Sequence, residues 1–311
     1  MSAMIEIKHL YKTYSRKRWL WGEGEALPVL KDVSLSIAPN RVMGLVGESG
    51  CGKSTLCKVL LGIEKPTSGT VCINGQETTD LSKAAWKELR RVMQVVYQDP
   101  YSSLDPRMTV RQQLAEALDI HGLKKEPAAR ENFLKALLSS VGLAAECLNR
   151  YPHEFSGGQR QRICIARTLV LDPKIIIADE PVSALDVSVQ AQILNLLQDI
   201  RRERRLSMLF VTHDFSVARF LCDDIAVMYK GSLVELAPAQ ELVEHPLHPY
   251  TQTLLAAVPE VGRRKLMQVS SLNTDSKTGS FLLTEKAVPP LREISPGHWC
   301  TVGRTQERNL Q

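Results

Sequence analysis

Apolar residues fall along this chain in two kinds of run. Residues 42–46, 174–178 and 208–212 are short and almost continuously apolar, the pattern of strands buried on both faces. Val33-Ser34-Leu35-Ser36-Ile37 alternates instead, as a strand with one wet face does. Further strands are predicted over residues 4–8, 70–74 (turning at Gly75) and 92–97, with a closing hairpin of 225–229 and 233–236 around Lys230-Gly231. Between them the spacing becomes helical. Leu56 to Leu61 is one such stretch. Val110, Leu114 and Leu118 recur four apart, and Phe133, Leu137, Leu138 and Val141 form a second stripe ended by Gly142. Helices are also expected from Ser156 to about Leu171, over 187–202, and briefly after Tyr250-Thr251-Gln252 to Val258. Residues 109–148 carry no strand signal, so they read as a helical insertion between two strand-bearing halves. The alternation of strands and helices predicts an α/β fold. Residues 15–28, with the basic-aromatic run Arg16-Lys17-Arg18-Trp19-Leu20-Trp21, read as an exposed loop between antiparallel strands. Beyond residue 262 the periodicity is lost. Pro289-Pro290 and Pro296-Gly297 mark a loosely structured tail or small appendage.

The strand at 42–46 runs into Gly47-Glu48-Ser49-Gly50-Cys51-Gly52-Lys53-Ser54-Thr55 and then a helical pattern. That is a phosphate-binding loop in the strand–loop–helix setting that gives it meaning. Several backbone N–H groups must meet the phosphate oxygens at once, and Gly50 and Gly52 let the backbone fold around them. The helix beginning near Lys53 adds the positive end of its dipole. Lys53 can reach the outer phosphates as a point charge, and the Ser54 hydroxyl is placed to ligate Mg²⁺. Cys51, beside a helix N-terminus, is either a small tolerated residue or a thiol of lowered pKa open to alkylation.

Two further signals stand downstream. Residues 174–178 deliver Asp179 and Glu180 at the C-terminal edge of a buried strand, where open α/β sheets bind ligands. One carboxylate suits Mg²⁺, and the next can polarise an attacking water. Phe155-Ser156-Gly157-Gly158-Gln159 precedes a helix that Ser156 can cap, leaving N–H groups free for an anion. His213 follows the strand at 208–212 and so reaches the same sheet edge as Glu180.

Composition adds boundaries. With 311 residues, 44% hydrophobic and 23% charged, the chain has room for a full α/β core and a smaller appended region. A net charge of +5 permits contact with anionic lipid or nucleic acid but demands neither. No stretch reaches the roughly 18 to 20 apolar residues of a membrane span, and residues 1–10 offer no signal-peptide core. The seven cysteines include no Cys-x2-Cys pair, so reduced core thiols in a cytoplasmic protein are expected.

In order, residues 47–55, Gln98, 155–159, 175–180, Ser183-Ala184-Leu185-Asp186 and His213 resemble the nucleotide-binding subunits of ABC transporters. The resemblance covers about residues 4–258. It implies a P-loop NTPase fold with a RecA-like core, an antiparallel β subdomain and a helical subdomain over about 99–170. It implies Tyr14 (with Tyr11 as the rival) stacking on adenine, Lys53 and Ser54 on phosphates and Mg²⁺, and Gln98 at the Mg²⁺ and coupling loop. It also implies Asp179 at the metal site, Glu180 as the base, Asp186 at the subunit contact and His213 on the γ-phosphate. In that family two subunits meet head to tail, and the segment corresponding to Ser156, Gly157, Gly158 and Gln159 closes over ATP held by the partner.

The stretch Tyr97 to Thr109 and the segment His248-Pro249-Tyr250-Thr251-Gln252 look like the oligopeptide/dipeptide/nickel importer branch, particularly its second ATPase subunit. Pro289 to His298 is similar to it too, making 259–311 the appendage of that branch. Many relatives carry a cysteine cluster there; residues 262–290 contain no Cys, so no iron–sulfur cluster is expected. The resemblance therefore implies an ATPase on the cytoplasmic face of the membrane, energising import of peptides or a related small solute. Its partners would be a second ATPase subunit, two integral membrane permease subunits and, indirectly, an extracytoplasmic solute-binding protein, with no nucleic acid. The alternatives are a nickel or metal-chelate importer ATPase, or a soluble ABC ATPase acting on nucleic acid or ribosomes.

Overall fold

A computed structural model describes residues 3–15, 26–123, 126–257 and 289–301. The chain opens with β1 (Ile5–Ser15) and β2 (Ala26–Ile37), then β3 (Val42–Val46), α1 (Lys53–Leu60), β4 (Ser68–Ile73), β5 (Gln76–Glu77), α2 (Lys83–Val92) and β6 (Met93–Val96). Helices follow: α3 (Pro100–Ser103), α4 (Val110–Ile120), α5 (Pro127–Ser140), two 3₁₀ turns, and α6 (Gly157–Leu169). The second half runs β7 (Ile175–Asp179), α7 (Val187–Arg204), β8 (Ser207–Thr212), α8 (Phe215–Leu221), β9 (Asp224–Tyr229), β10 (Ser232–Pro238), α9 (Ala239–Glu244) and α10 (Pro249–Ala256). It ends in β11 (Arg292–Ser295) and β12 (His298–Cys300).

The strands make two sheets. One is antiparallel, in the order β2-β1-β4-β5; the other is eight-stranded, β11-β12-β10-β9-β3-β8-β7-β6. Within the latter, β9, β3, β8, β7 and β6 are mutually parallel. Side chains of a strand alternate between faces, and here that splits the core in two. Val42, Val46, Ile176, Ala178, Met208 and Phe210 face a layer built from α4 to α9. Met43, Leu45, Ile175, Ile177, Leu209 and Val211 face α1 and the antiparallel sheet. The parallel sheet is thus buried on both sides, which is why its strands read as unbroken apolar runs.

Several expectations change. The first strand extends far past residue 8, with register shifts that keep it paired, and β2 starts at Ala26 rather than after Pro28 because Tyr14 pairs Leu27. The basic-aromatic run 16–21 lies outside the described residues, as does 258–288. Helix α2 carries little apolar signal because Leu89 is its buried residue. Residues 292–300 are not loose: β12 pairs with β10 through Glu235–Cys300 and Leu236–Trp299, and β11 pairs with β12. Strands this short, one with four exposed positions, have no pattern to read. Their partner edge supplies the order.

Candidate nucleotide site

Strand β3 is fully buried between β8 and β9, so the loop after it starts from a fixed point. Gly52, at φ 118°, is the N-cap of α1, a conformation only glycine adopts without strain. Gly47 is required for a different reason: a Cβ there would stand 2.3 Å from the Met228 carbonyl oxygen. Lys53 is 5% exposed. Its Nζ donates to the Gly47 and Glu48 carbonyls at 2.7 and 2.9 Å, bracing the loop. Ser49, Gly50, Gly52, Lys53, Ser54 and Thr55 line one cleft of about 240 Å³ together with Gln98, Glu180 and Val29.

Asp179 and Glu180 leave the end of β7 beside this cleft. Burial, and next the neighbouring Glu180 charge, push the Asp179 carboxyl above its ordinary value, while the Ser54 hydroxyl bonded to it acts the other way. A half-buried carboxylate pair next to a serine hydroxyl has excess negative charge. That donor set fits Mg²⁺, which takes one or two protein oxygens and fills the rest with phosphate and water. Glu180 adopts the left-handed conformation at φ 48°, uncommon for a residue with a Cβ. The Val211 carbonyl accepts its N–H at 3.0 Å, so the ladder continues while the side chain turns toward the cleft. His213, just past β8, stands with Nδ1 3.3 Å from Glu180 Oε2.

Gln98 borders both this cleft and the adjoining one that includes Asp179 and Arg167. Arg167 of α6 donates to the Ser103 carbonyl at 2.5 Å, and the Arg160 guanidinium lies 4.0 Å from the centre of the Tyr101 ring. The loop after Gln98 is therefore tied to α6.

The other expected residues stand apart from the cleft. Ser156 caps α6 and Gln159 returns the bond to the Ser156 N–H at 3.0 Å. Gly158 packs on Val189 of α7. Asp186 caps α7 through the Val189 N–H at 3.0 Å, and backbone bonding lowers its pKa. Ser156, Gln159 and Asp186 are all exposed. Tyr14 does not line the cleft; the Lys12 ammonium lies 4.8 Å from its ring centre. The reading of Cys51 as an activated thiol is overturned. Only 7% exposed, it has its pKa raised by burial, against which the nearby Lys53 charge is the smaller influence. The Glu48 N–H donates to the Tyr250 hydroxyl at 3.2 Å. Tyr250 had no assigned role, and its only sequence signal was the segment around Pro249.

Residues 30–183 match the family model described as ABC transporter, and 234–279 match the oligopeptide/dipeptide transporter C-terminal region. The chain is 45% identical over 305 residues to the oligopeptide transport ATP-binding protein OppF of Bacillus subtilis, covering 96% of each. This chain belongs to the ABC transporter ATP-binding proteins. A second member, the di/tripeptide transport ATP-binding protein DppF of Pseudomonas aeruginosa, is 45% identical over 84% of this chain and 80% of its own. Among solved ABC ATPases, the cassette MJ0796, dimeric and bound to ADP and Pi, superposes with a TM-score of 0.67 at 32% identity, covering 76% of this chain and 99% of that one. The structure of cbiO1 from Clostridium perfringens, part of the ABC transporter complex cbiONQ, gives 0.69 at 26% identity, covering 79% and 92%. The protein is accordingly an ATP-binding ATPase of a transporter. No helix among the described residues is long and apolar enough to cross a membrane.

Proposed function

We propose that this chain is the ATP-hydrolysing subunit of an importer for oligopeptides, dipeptides or a related small solute. It would sit at the cytoplasmic face of the membrane against two integral permease subunits, fed by an extracytoplasmic binding protein. The observation that carries this reading is the division of the site. Lys53, Gln98 and Glu180 share one cleft, while Ser156, Gln159 and Asp186 are exposed and do not line it. A second ATPase subunit, a copy or a paralogue, supplies the missing wall by presenting its own Ser156–Gln159 counterpart. The names of the relatives support peptides as cargo.

The residues then divide the work. Lys53 leaves the Gly47 and Glu48 carbonyls for the outer phosphates. The backbone from Ser49 to Thr55 cradles them, and Tyr14 stacks on adenine. Ser54, Asp179 and Gln98 would hold Mg²⁺, which would supply positive charge to neutralise the phosphates. Glu180 polarises the attacking water and accepts its proton, and His213, already against Glu180, contacts the γ-phosphate. Hydrolysis removes the phosphate that bridges the two subunits, and the dimer reopens.

The test uses the full-length chain purified from membranes with its integral partners and returned to vesicles. Wild type is expected to couple ATP hydrolysis to peptide uptake. Glu180→Gln should lose both by roughly 10²-fold or more while still binding ATP. Ordinary turnover in that variant contradicts the assigned base, and hydrolysis stimulated by a solute other than peptides contradicts the cargo.

A further inference from the structure

The segment Pro249-Tyr250-Thr251, the C-terminal hairpin and a buried carboxylate form a continuous chain of contacts ending on the phosphate loop. Glu235 of β10 is completely buried. Its Oε1 accepts the Leu247 N–H at 2.7 Å and its Oε2 the His248 N–H at 3.0 Å, fixing the start of α10. The same Oε1 meets Nε2 of the buried His298, on β12, at 2.8 Å. His248 Nδ1 then accepts the Tyr250 N–H at 3.1 Å. Tyr250, 7% exposed, packs with its ring centre 4.3 Å from that of Tyr229, and its hydroxyl receives the Glu48 N–H at 3.2 Å.

That last bond lands on an informative peptide unit. The plane joining Gly47 to Glu48 offers its C=O to Lys53 and its N–H to Tyr250. When Lys53 departs for phosphate, the carbonyl loses its partner and the N–H keeps its own. The unit that leads into the phosphate cradle therefore stays oriented through the exchange. We propose that Tyr250 is a positioning residue for the phosphate loop, and that the C-terminal hairpin sets it through His298 and Glu235. The tail is then a structural input to nucleotide affinity. This rests on the phosphate loop being the nucleotide site.

The test measures MgATP affinity of the full-length chain by displacement of a fluorescent ATP analogue, with amide hydrogen exchange at Glu48 read alongside. Tyr250→Phe keeps the ring and removes the acceptor. Loss of one ordinary hydrogen bond predicts an affinity about three- to tenfold weaker and faster exchange at Glu48. His298→Phe, which fills the space without a ring N–H, should weaken affinity in the same direction. His298→Gln, which restores a donor, should recover most of it. Combined with Tyr250→Phe, His298→Phe should add little, because both act on one contact. Melting temperatures identify any variant that has not folded, and Tyr250→Phe alone still decides the first claim. Unchanged affinity in Tyr250→Phe overturns the positioning role. Full additivity of the pair, or no effect from His298→Phe, overturns the coupling to the tail. A wild-type chain that fails to bind ATP refutes the site itself.

Discussion

The residues at the end of β7 show how an environment prepares a side chain for a ligand. Asp179 is held where burial and Glu180 both raise its pKa above the ordinary 3.8. A carboxyl raised in this way stabilises the fold only while it is protonated. That contribution is complete below the ordinary value and lost as pH rises through the raised one. At neutral pH its charge is a cost to the empty protein. Asp179→Asn should therefore raise the melting temperature of the nucleotide-free chain, while abolishing the extra stabilisation that Mg²⁺ gives with ATP. Calorimetry with and without MgATP checks both; a variant less stable when empty counts against the strain. Asp179, Glu180, Lys53 and Ser54 were all legible from the spacing of two motifs. Of the two readings of Cys51, the small tolerated residue is the one its burial supports, because burial outweighs the nearby Lys53 charge there.

At the scale of elements, α6 and α7 meet over a glycine. A Cβ on Gly158 would stand 2.4 Å from Cγ1 of Val189, and a β-branched side chain has little freedom to turn away. Alanine improves a helix interior by about 0.8–1 kcal/mol over glycine, but overpacking of this kind costs about 1–3 kcal/mol. Gly158→Ala should thus destabilise the chain by a net amount on the order of 1 kcal/mol in urea unfolding, and it should tilt the exposed start of α6. A stabilised variant would show the contact to be slack. The sequence marked Gly158 as part of an anion-binding helix start. Its second duty, admitting α7, depends on a residue 31 positions away in the chain. The hairpin β11–β12 makes the same point more strongly, since its order comes from the β10 edge.

For the whole molecule, the arrangement of exposed and buried motifs decides the behaviour. Lys53, Gln98 and Glu180 line one cleft, while Ser156, Gln159 and Asp186 are exposed and do not line it. The expected consequence is a monomer that binds ATP and hydrolyses it slowly. A dilute preparation, confirmed monomeric by light scattering, should release phosphate roughly 10²-fold more slowly per chain than the assembled complex, the usual loss when one preorganised transition-state wall is missing. Equal rates would contradict the divided site. The ties from α6 to the loop after Gln98, through Arg167 and Arg160, give the helical region a mechanical link to the cleft. In the proposed dimer, closure would therefore act beyond the nucleotide.

Local chemistry was enough to determine the phosphate loop, the paired carboxylates, the buried core strands and the capped helix at Ser156. Each depends on residues within a few positions of one another, and a strand or helix period exposes them directly. The sequence by itself therefore determined that this protein binds a nucleoside triphosphate. Tertiary structure alone decided which motifs share a cleft, that Cys51 is buried, and that the tail joins the sheet. It also decided that Tyr250 reaches Glu48 across 202 positions. Those outcomes follow from pairing between distant edges and from burial, and neither leaves a periodic trace in the chain.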